Sequence, residues 1–356
     1  MTGIVQSTRH YEDWLRQQLG DAFVPADLER KHDKMRRSAF AFLRATYWRW
    51  AETVLDLCPD LASAPTVLAV GDIHVENFGT WRDVDGRLVW GVNDFDEAAE
   101  MPFLLDIVRL ACSVLLARRR RDMPAREICA RLLDGYRDGL AAPQPMVLDR
   151  DHKWLRKKVI VAEKDRADFW KDLDQQLIDD PVPPPHVLAA LRSAFPEPVP
   201  LSRIGHRIAG SGSLGRLRLV GIATWRGAAL VREAKALAPS AWSRPTGRAA
   251  AGLRCHAIAT GRYRAPDPWF RVQGAVAVHR LSPNNRKIEL DDIDANLLGA
   301  DMLRAMGHDL AAVHLGTADR REALRDHLRK RGKRRLLDAA ETMATAVHGD
   351  YVSFRG

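Results

Sequence analysis

Cysteine is scarce in this chain. The four present, Cys58, Cys112, Cys129 and Cys255, are scattered without CxxC spacing. That spacing excludes a disulfide-stapled scaffold and gives no basis for a structural zinc site. Three of the four sit in apolar contexts, so free buried thiols in a reducing, cytoplasmic setting are expected. Long hydrophobic runs are also lacking. The best stretch, 103–117, carries Asp106 and Arg109 and falls short of the ~20 residues that a membrane span needs, so no membrane association is expected. Residues 1–7 have no basic region leading into an apolar core, so no signal peptide is expected. Internal repeats and low-complexity tracts are absent, and 236–265 contains no acidic residue.

What is present reads as globular. An apolar fraction of 46% over 356 residues is too apolar for a disordered chain, and the length suggests about two lobes. The formal charge of +9 is concentrated at 118–121 and 325–335. Such runs can meet phosphate-rich partners, but they lie in or beside helical patterns and no RNA-binding or zinc-finger motif accompanies them. Solvated helix faces account for them better than a nucleic-acid site does. A phosphorylated small molecule stays open as a partner.

The chemistry concentrates at 71–97. Gly71-Asp72-Ile73-His74-Val75-Glu76-Asn77-Phe78-Gly79 is followed by Asn93-Asp94-Phe95-Asp96-Glu97. Carboxylate and carboxamide oxygens are hard ligands suited to Mg²⁺, which works beside substrate phosphates. Apolar, strand-like runs flank the clusters at 66–70 and 88–92, and Val84-Asp85-Gly86-Arg87 has the Asp-Gly of a tight turn. The expected picture is two acidic clusters emerging from the ends of adjacent strands. The plainer alternative is a polar loop, but so many acids beside apolar strands are costly without a counter-ion.

Around this hairpin, helix is expected over 8–60, 103–119, 124–140 and 151–180. Proline-rich breaks at 181–185 and 195–200 mark a lobe boundary. Beyond it, Gly210-Ser211-Gly212-Ser213-Leu214-Gly215 is a GxGxxG pattern. A dinucleotide site needs a helix to start at the third glycine. Here strand, turn and strand follow, so the glycines should cap a hairpin, where backbone N–H groups can lie over nucleotide phosphates. Two short strands over 269–281, an amphipathic helix pair over 291–316 and a basic helical tail complete the pattern.

Asp72 and Asn77 with Asp94 on the next strand resemble the aminoglycoside- and choline-kinase branch of kinase-like phosphotransferases. That branch reads His-Gly-Asp-x-x-x-x-Asn and then Ile-Asp-Trp-Glu. More closely, the chain resembles an uncharacterised bacterial family, domain of unknown function twenty-two fifty-two, which is grouped with kinase-like folds. The matching features are the run from Ser38 to Arg44, both acidic motifs, Asp106 to Ala111, the glycine-rich segment, Arg232-Glu233-Ala234 and Leu310 to His314.

The resemblance implies an α+β, protein-kinase-like two-lobed fold. Because the catalytic loop precedes the glycine-rich hairpin, it also implies circular permutation. Residues 1–199 would form a helical catalytic lobe with the catalytic and metal hairpin at 66–97, 200–285 a small β-rich nucleotide lobe, and 286–356 helices returning to the first. The implied activity is ATP- (or other NTP-) and Mg²⁺-dependent phosphoryl transfer to a hydroxyl of a small molecule or metabolite. Asp72 would be the catalytic acid–base group, with His74 orienting it or touching substrate. Asn77, Asp94 and Asp96 would hold metal, and Gly210, Ser211, Gly212, Ser213, Gly215 and Arg232 would hold the nucleotide. Asp106 and Arg109 are expected to support the loops, and Arg44 to form a surface ion pair.

The chain also departs from the pattern. Arg232 stands where the family has lysine, and strand alternation points Lys235 to the opposite face. Arginine is not an equivalent cation. Ala251 stands where the family places glutamate. A nucleotide-binding pseudokinase or an interaction protein is therefore the alternative function. A metallophosphoesterase, suggested by Gly71-Asp72-Ile73-His74, lacks its later Gly-Asn-His.

Overall fold

The computed structural model describes residues 2–118, 123–180, 182–246, 252–287, 298–330 and 333–356. Parts of the basic runs at 119–121 and 331–332, Ala251, and the first residues of the 291–316 pattern lie outside them.

The N-terminal helical region breaks into four pieces: α1 (Ile4–Leu19), α2 (Ala26–Met35), α3 (Ala39–Ala45) and α4 (Tyr47–Leu57). The break before α3 is a capping event, in which the Ser38 hydroxyl accepts the Ala41 N–H at 3.1 Å. Strands β1 (Thr66–Ala69), β2 (Phe78–Arg82), β3 (Leu88–Val92) and β4 (Ala99–Pro102) follow.

Their pairing corrects the expected hairpin. β3 pairs with β2, while β1 pairs with β4. The Asp-Gly turn sets the register, with Arg82 opposite Leu88. Counting back from that turn therefore reaches Phe78, not the 66–70 run. The two acidic loops thus leave strands of different sheets, and a backbone bond from Asn93 N–H to the Asn77 carbonyl (2.9 Å) ties them together.

Next come α5 (Leu104–Ala117), α6 (Ala125–Ala141), the two-residue strand β5 (Met146–Val147) against β3, α7 (Lys153–Val159) and α8 (Glu163–Gln176). β6 (Leu177–Asp179) replaces the end of the helix expected over 151–180, because it pairs as an edge strand with β7 (Leu201–Arg207). After α9 (Pro185–Ser193) and β7 come β8 (Arg218–Trp225), β9 (Ala228–Ala236), α10 (Ser243–Thr246), α11 (Cys255–Ala259), β10 (Arg271–Gln273) and β11 (Val276–Leu281). The antiparallel order is β10-β11-β9-β8-β7-β6. Three helices end the chain: α12 (Ala300–His314), α13 (Arg321–Lys330) and α14 (Lys333–Arg355).

The fold class is mixed α+β with several antiparallel sheets. α5 is buried on nearly all sides from Leu105 to Val114, between α14, α6 and α3. α12 lies along α6. α9 packs on β8, β9 and β11, while Leu173 of α8 and Leu177 meet Val220 and Val231 on the other face of the six-stranded sheet. Cys112, Cys129 and Cys255 are buried free thiols and Cys58 is half-buried. Among the described residues, no helix is long and apolar enough to cross a membrane.

Candidate functional site

The end of β1 is held by a buried carboxylate. Asp106, on α5, accepts the N–H groups of Val70 (2.7 Å) and Gly71 (2.9 Å). Its Oδ2 also lies 3.0 Å from His314 Nε2 on α12, whose Nδ1 is 2.8 Å from the Tyr136 hydroxyl on α6. Three helices therefore converge on the peptide that launches Asp72.

One turn along α5, the Arg109 guanidinium is 1% exposed and lies over the rings of Tyr47 (5.0 Å) and Trp50 (5.2 Å). It donates to the Leu43 carbonyl (2.9 Å) and to Asp72 Oδ1. Asp106 and Arg109 are thus supports for the loop. Burial pushes the Asp72 carboxyl up to about 7; Arg109 opposes that rise, and the nearby Glu97 and Asp94 charges add to it.

After Asp72 the chain makes a 3-10 turn over Val75–Asn77. The His74 N–H donates to Asn77 Oδ1 (3.0 Å), and the Glu76 N–H donates to His74 Nδ1 (3.2 Å). Nδ1 is thus an acceptor, which leaves the proton of the neutral ring on Nε2. Burial and the charges of Arg44 and Arg109 keep His74 well below the usual imidazole range. His74, expected to serve catalysis, is placed as a loop cap. Asn77 is buried, and its oxygen keeps a second lone pair for a cation. Arg44 forms the expected ion pair, with Glu76 (2.5 Å).

β3 ends in the same manner as β1. The Val92 N–H donates to Asp309 Oδ2 (2.7 Å) on α12, and Arg264 holds both oxygens of that carboxylate (3.1 and 3.2 Å). A Cβ on Gly91 would stand 2.6 Å from those oxygens, so a side chain there would expel the carboxylate.

Asp94 and Asp96 follow, and Lys235 of β9 meets both. It is ion-paired with Asp96, and its Nζ is 3.6 Å from Asp94. Arg216 bonds Glu97 (2.6 Å) and lies 3.8 Å from Asp96. Burial works against charge on Asp94, but Lys235, Lys287 and Arg218 hold it well below the usual carboxylate range.

The glycine-rich segment caps the β7–β8 hairpin, as expected, and its tip reaches the first acidic loop. A Cβ on Gly212 would lie 3.3 Å from Asp72 Oδ2 and 2.8 Å from the Arg44 carbonyl. Among the described residues, none of the N–H groups of Gly210, Ser211, Gly212, Ser213, Leu214 or Gly215 has a protein acceptor. The Ser213 hydroxyl accepts from Arg218 (2.6 Å), which pairs with Glu233 (2.7 Å). Burial would raise Glu233, yet Arg218, His279 and Arg207 hold it well below the carboxylate range.

Arg232 is the residue that the structure takes away from this group. It points to the α9 face of the sheet, donating to the Ala194 carbonyl (3.0 Å) and lying over Trp269 (4.7 Å) and Phe195 (5.8 Å). Burial and the Arg280 charge lower it to about 10. The cation facing the acids is Lys235, on the other face by alternation.

Sequence reasoning also missed Arg216, Glu97 and Asp309. Glu97 closes the second acidic motif and Asp309 lies one residue before the Leu310–His314 motif, whereas Arg216 belongs to no motif. Among the described residues, no group of three or more His, Cys, Asp or Glu side chains is placed to hold a metal ion. Mg²⁺ beside phosphates needs only one or two carboxylates. A cavity of about 400 Å³ lies elsewhere, lined by Leu61, Leu104, Val108, Leu133 and Leu336 among others.

Residues 23–175 match the model of a family described as "Uncharacterized protein conserved in bacteria (DUF2252)". That match takes in both acidic loops and Arg109, stops before the glycine-rich segment, and bears out the family resemblance over those residues. No curated protein and no solved structure matches the chain.

Proposed function

We propose that this chain is an ATP- (or other NTP-) and Mg²⁺-dependent phosphotransferase, built as a circularly permuted kinase-like pair of lobes and acting on a small-molecule hydroxyl. One observation carries this reading. Two segments far apart in sequence, and in reversed order relative to a kinase, meet at one place, with Lys235 on Asp96 and near Asp94 and Gly212 against Asp72.

The residues present fit the groups that the reading requires. A row of N–H groups without protein acceptors suits phosphate oxygens. Asp94, held ionised, together with Asp96 and the Asn77 oxygen, suits a hard dication. ATP would supply the transferred phosphoryl group, and Mg²⁺ would offset its charge. Asp72, raised to about 7, suits a group that orients an acceptor hydroxyl and takes its proton near neutral pH. Arg109 holds one oxygen of Asp72 and leaves the other facing Gly212.

One observation favours a second reading, a nucleotide-binding pseudoenzyme: the Lys235 charge is engaged with the metal-side acids themselves.

Nucleotide binding and turnover with Mg²⁺, compared in wild type, Asp94→Ala and Asp72→Ala, test the proposal. Binding with turnover against a panel of hydroxyl acceptors is the expected result. Absence of nucleotide affinity in wild type rejects both readings, and binding without turnover selects the pseudoenzyme.

A further inference from the structure

Lys31 of α2 is fully buried, has no role in the reading above, and lies against the glycine-rich segment. Its ammonium sits over the rings of Trp48 (4.8 Å) and Tyr11 (5.1 Å), which stack on one another at 4.0 Å. Among the described residues its one hydrogen-bond acceptor is the Gly212 carbonyl, at 3.3 Å. One turn along, half-buried Lys34 donates to the Gly210 carbonyl at 2.8 Å. The chain before α2 is tied to the same loop, with Val24 N–H on the Gly215 carbonyl (3.0 Å) and Leu217 N–H on the Ala22 carbonyl (2.9 Å).

An ammonium buried without a carboxylate partner is costly, so its position calls for a compensating role. The geometry of the peptide supplies one. In a planar trans peptide, the carbonyl of one residue and the N–H of the next point in opposite directions. Fixing the Gly210 and Gly212 carbonyls on α2 therefore turns the Ser211 and Ser213 N–H groups away from α2. It also occupies the two carbonyls that would otherwise repel an anion.

We infer that Lys31 and Lys34 are positioning residues that convert the 210–215 loop into an all-donor cradle for the phosphates of a nucleotide, with Lys31 adding a buried positive charge behind it. This rests on the phosphate-binding role proposed for the loop. Lys31 is pushed down to about 8 by burial and the Arg216 charge, against Glu12, Glu97 and Asp72, which raise it. Those groups, with Tyr11 and Trp48, are what face it from α1, α4 and the three loops, so the clamp should slacken as pH rises through about 8.

The test compares wild type, Lys31→Met and Lys34→Met by amide hydrogen exchange and by calorimetric titration with Mg·ATP at pH 7 and pH 9.5. Loss of a charge-assisted hydrogen bond should speed exchange of the hydrogen-bonded Arg216 and Leu217 amides at the base of the loop about 10-fold in Lys31→Met, and less in Lys34→Met, with α5 unchanged. Affinity for Mg·ATP should fall by a similar factor. Wild type should lose more affinity between the two pH values than Lys31→Met does. Should Lys31→Met fold poorly, Lys34→Met alone carries the measurement.

Unchanged exchange at Arg216 and Leu217 in the variants that fold, or the same acceleration throughout the molecule, overturns the inference. If exchange responds as expected but wild type binds no Mg·ATP, the phosphotransferase proposal fails while the clamp on the loop stands.

Discussion

Asp72 and Asp94 follow strands that end in the same way, yet their surroundings drive them apart. Each strand end is gripped by a buried carboxylate on a helix, Asp106 for β1 and Asp309 for β3. Past that grip, Asp72 meets one guanidinium and lies among other acids, and its carboxyl rises to about 7. Asp94 meets Lys235, Lys287 and Arg218 and stays ionised. A shared scaffold thus presents two carboxylates with different protonation behaviour. Such a pair suits one group that handles a proton and another that holds a cation.

The sharpest way to break this contrast is to remove each acid in turn. Under the proposed function, Asp72→Ala should lower turnover with Mg·ATP by about 10²–10⁴-fold while leaving nucleotide affinity nearly intact. Asp94→Ala should lower turnover at least as far and also remove the Mg²⁺ dependence of nucleotide binding. Matching affinity losses in the two variants would dissolve the division of labour.

The shared scaffold comes next. Asp106→Ala leaves two N–H groups and His314 without their acceptor, and Asp309→Ala strands the Arg264 charge. Each should cost about 3–5 kcal/mol in denaturant unfolding. Should either cost under about 1 kcal/mol, that grip is not what holds its strand end.

Lys235→Met and Arg232→Met sharpen the contrast from the other side. The first should reduce turnover by about 10²-fold, and the second should change stability with little effect on turnover, as steady-state kinetics and thermal melting will separate. The reverse pattern would return the phosphate-side role to Arg232.

The smallest effect is the pH dependence of Asp72. Its folded value of about 7 lies above the ordinary 3.8, so between about pH 4 and 7 the folded chain keeps a proton that the unfolded chain releases. The resulting stabilisation is full below pH 4 and is lost as pH rises through about 7. Relative to wild type, Asp72→Asn should therefore gain about 2 kcal/mol between pH 4 and pH 8. A gap that does not move with pH would mean that Asp72 titrates normally.

Much of this was legible in residues 66–102. The acidic motifs, the Asp-Gly turn and the apolar strands are local features with local causes. Asp106 and Arg109 stand out as charges within the apolar run 103–117, although their contacts with Val70, Gly71 and Asp72 are tertiary. The strand partners were misread because both 66–70 and 78–82 are apolar enough to pair with β3, and the distance to the turn decided between them. The capping of a 3-10 turn by His74 Nδ1 was not legible, because an imidazole beside an acidic motif gives no sign of which backbone N–H its ring nitrogen will accept. Arg216 and Lys31 had no motif at all. Each is one more basic residue in a basic chain until the fold buries it beside the glycine-rich loop.

Alternation on β9 shows where sequence stops and structure begins. The sequence by itself determined that Arg232 and Lys235 face opposite sides of a strand, because successive side chains in a strand point opposite ways. It also determined that acids, glycines and cations suited to a phosphate site are all present. Which face of β9 looks onto Asp94 was decided only in three dimensions. α9, with Phe195 and Trp269, takes the Arg232 side, leaving Lys235 to meet the acids. That choice depends on contacts between distant segments, which the pattern along one strand does not encode.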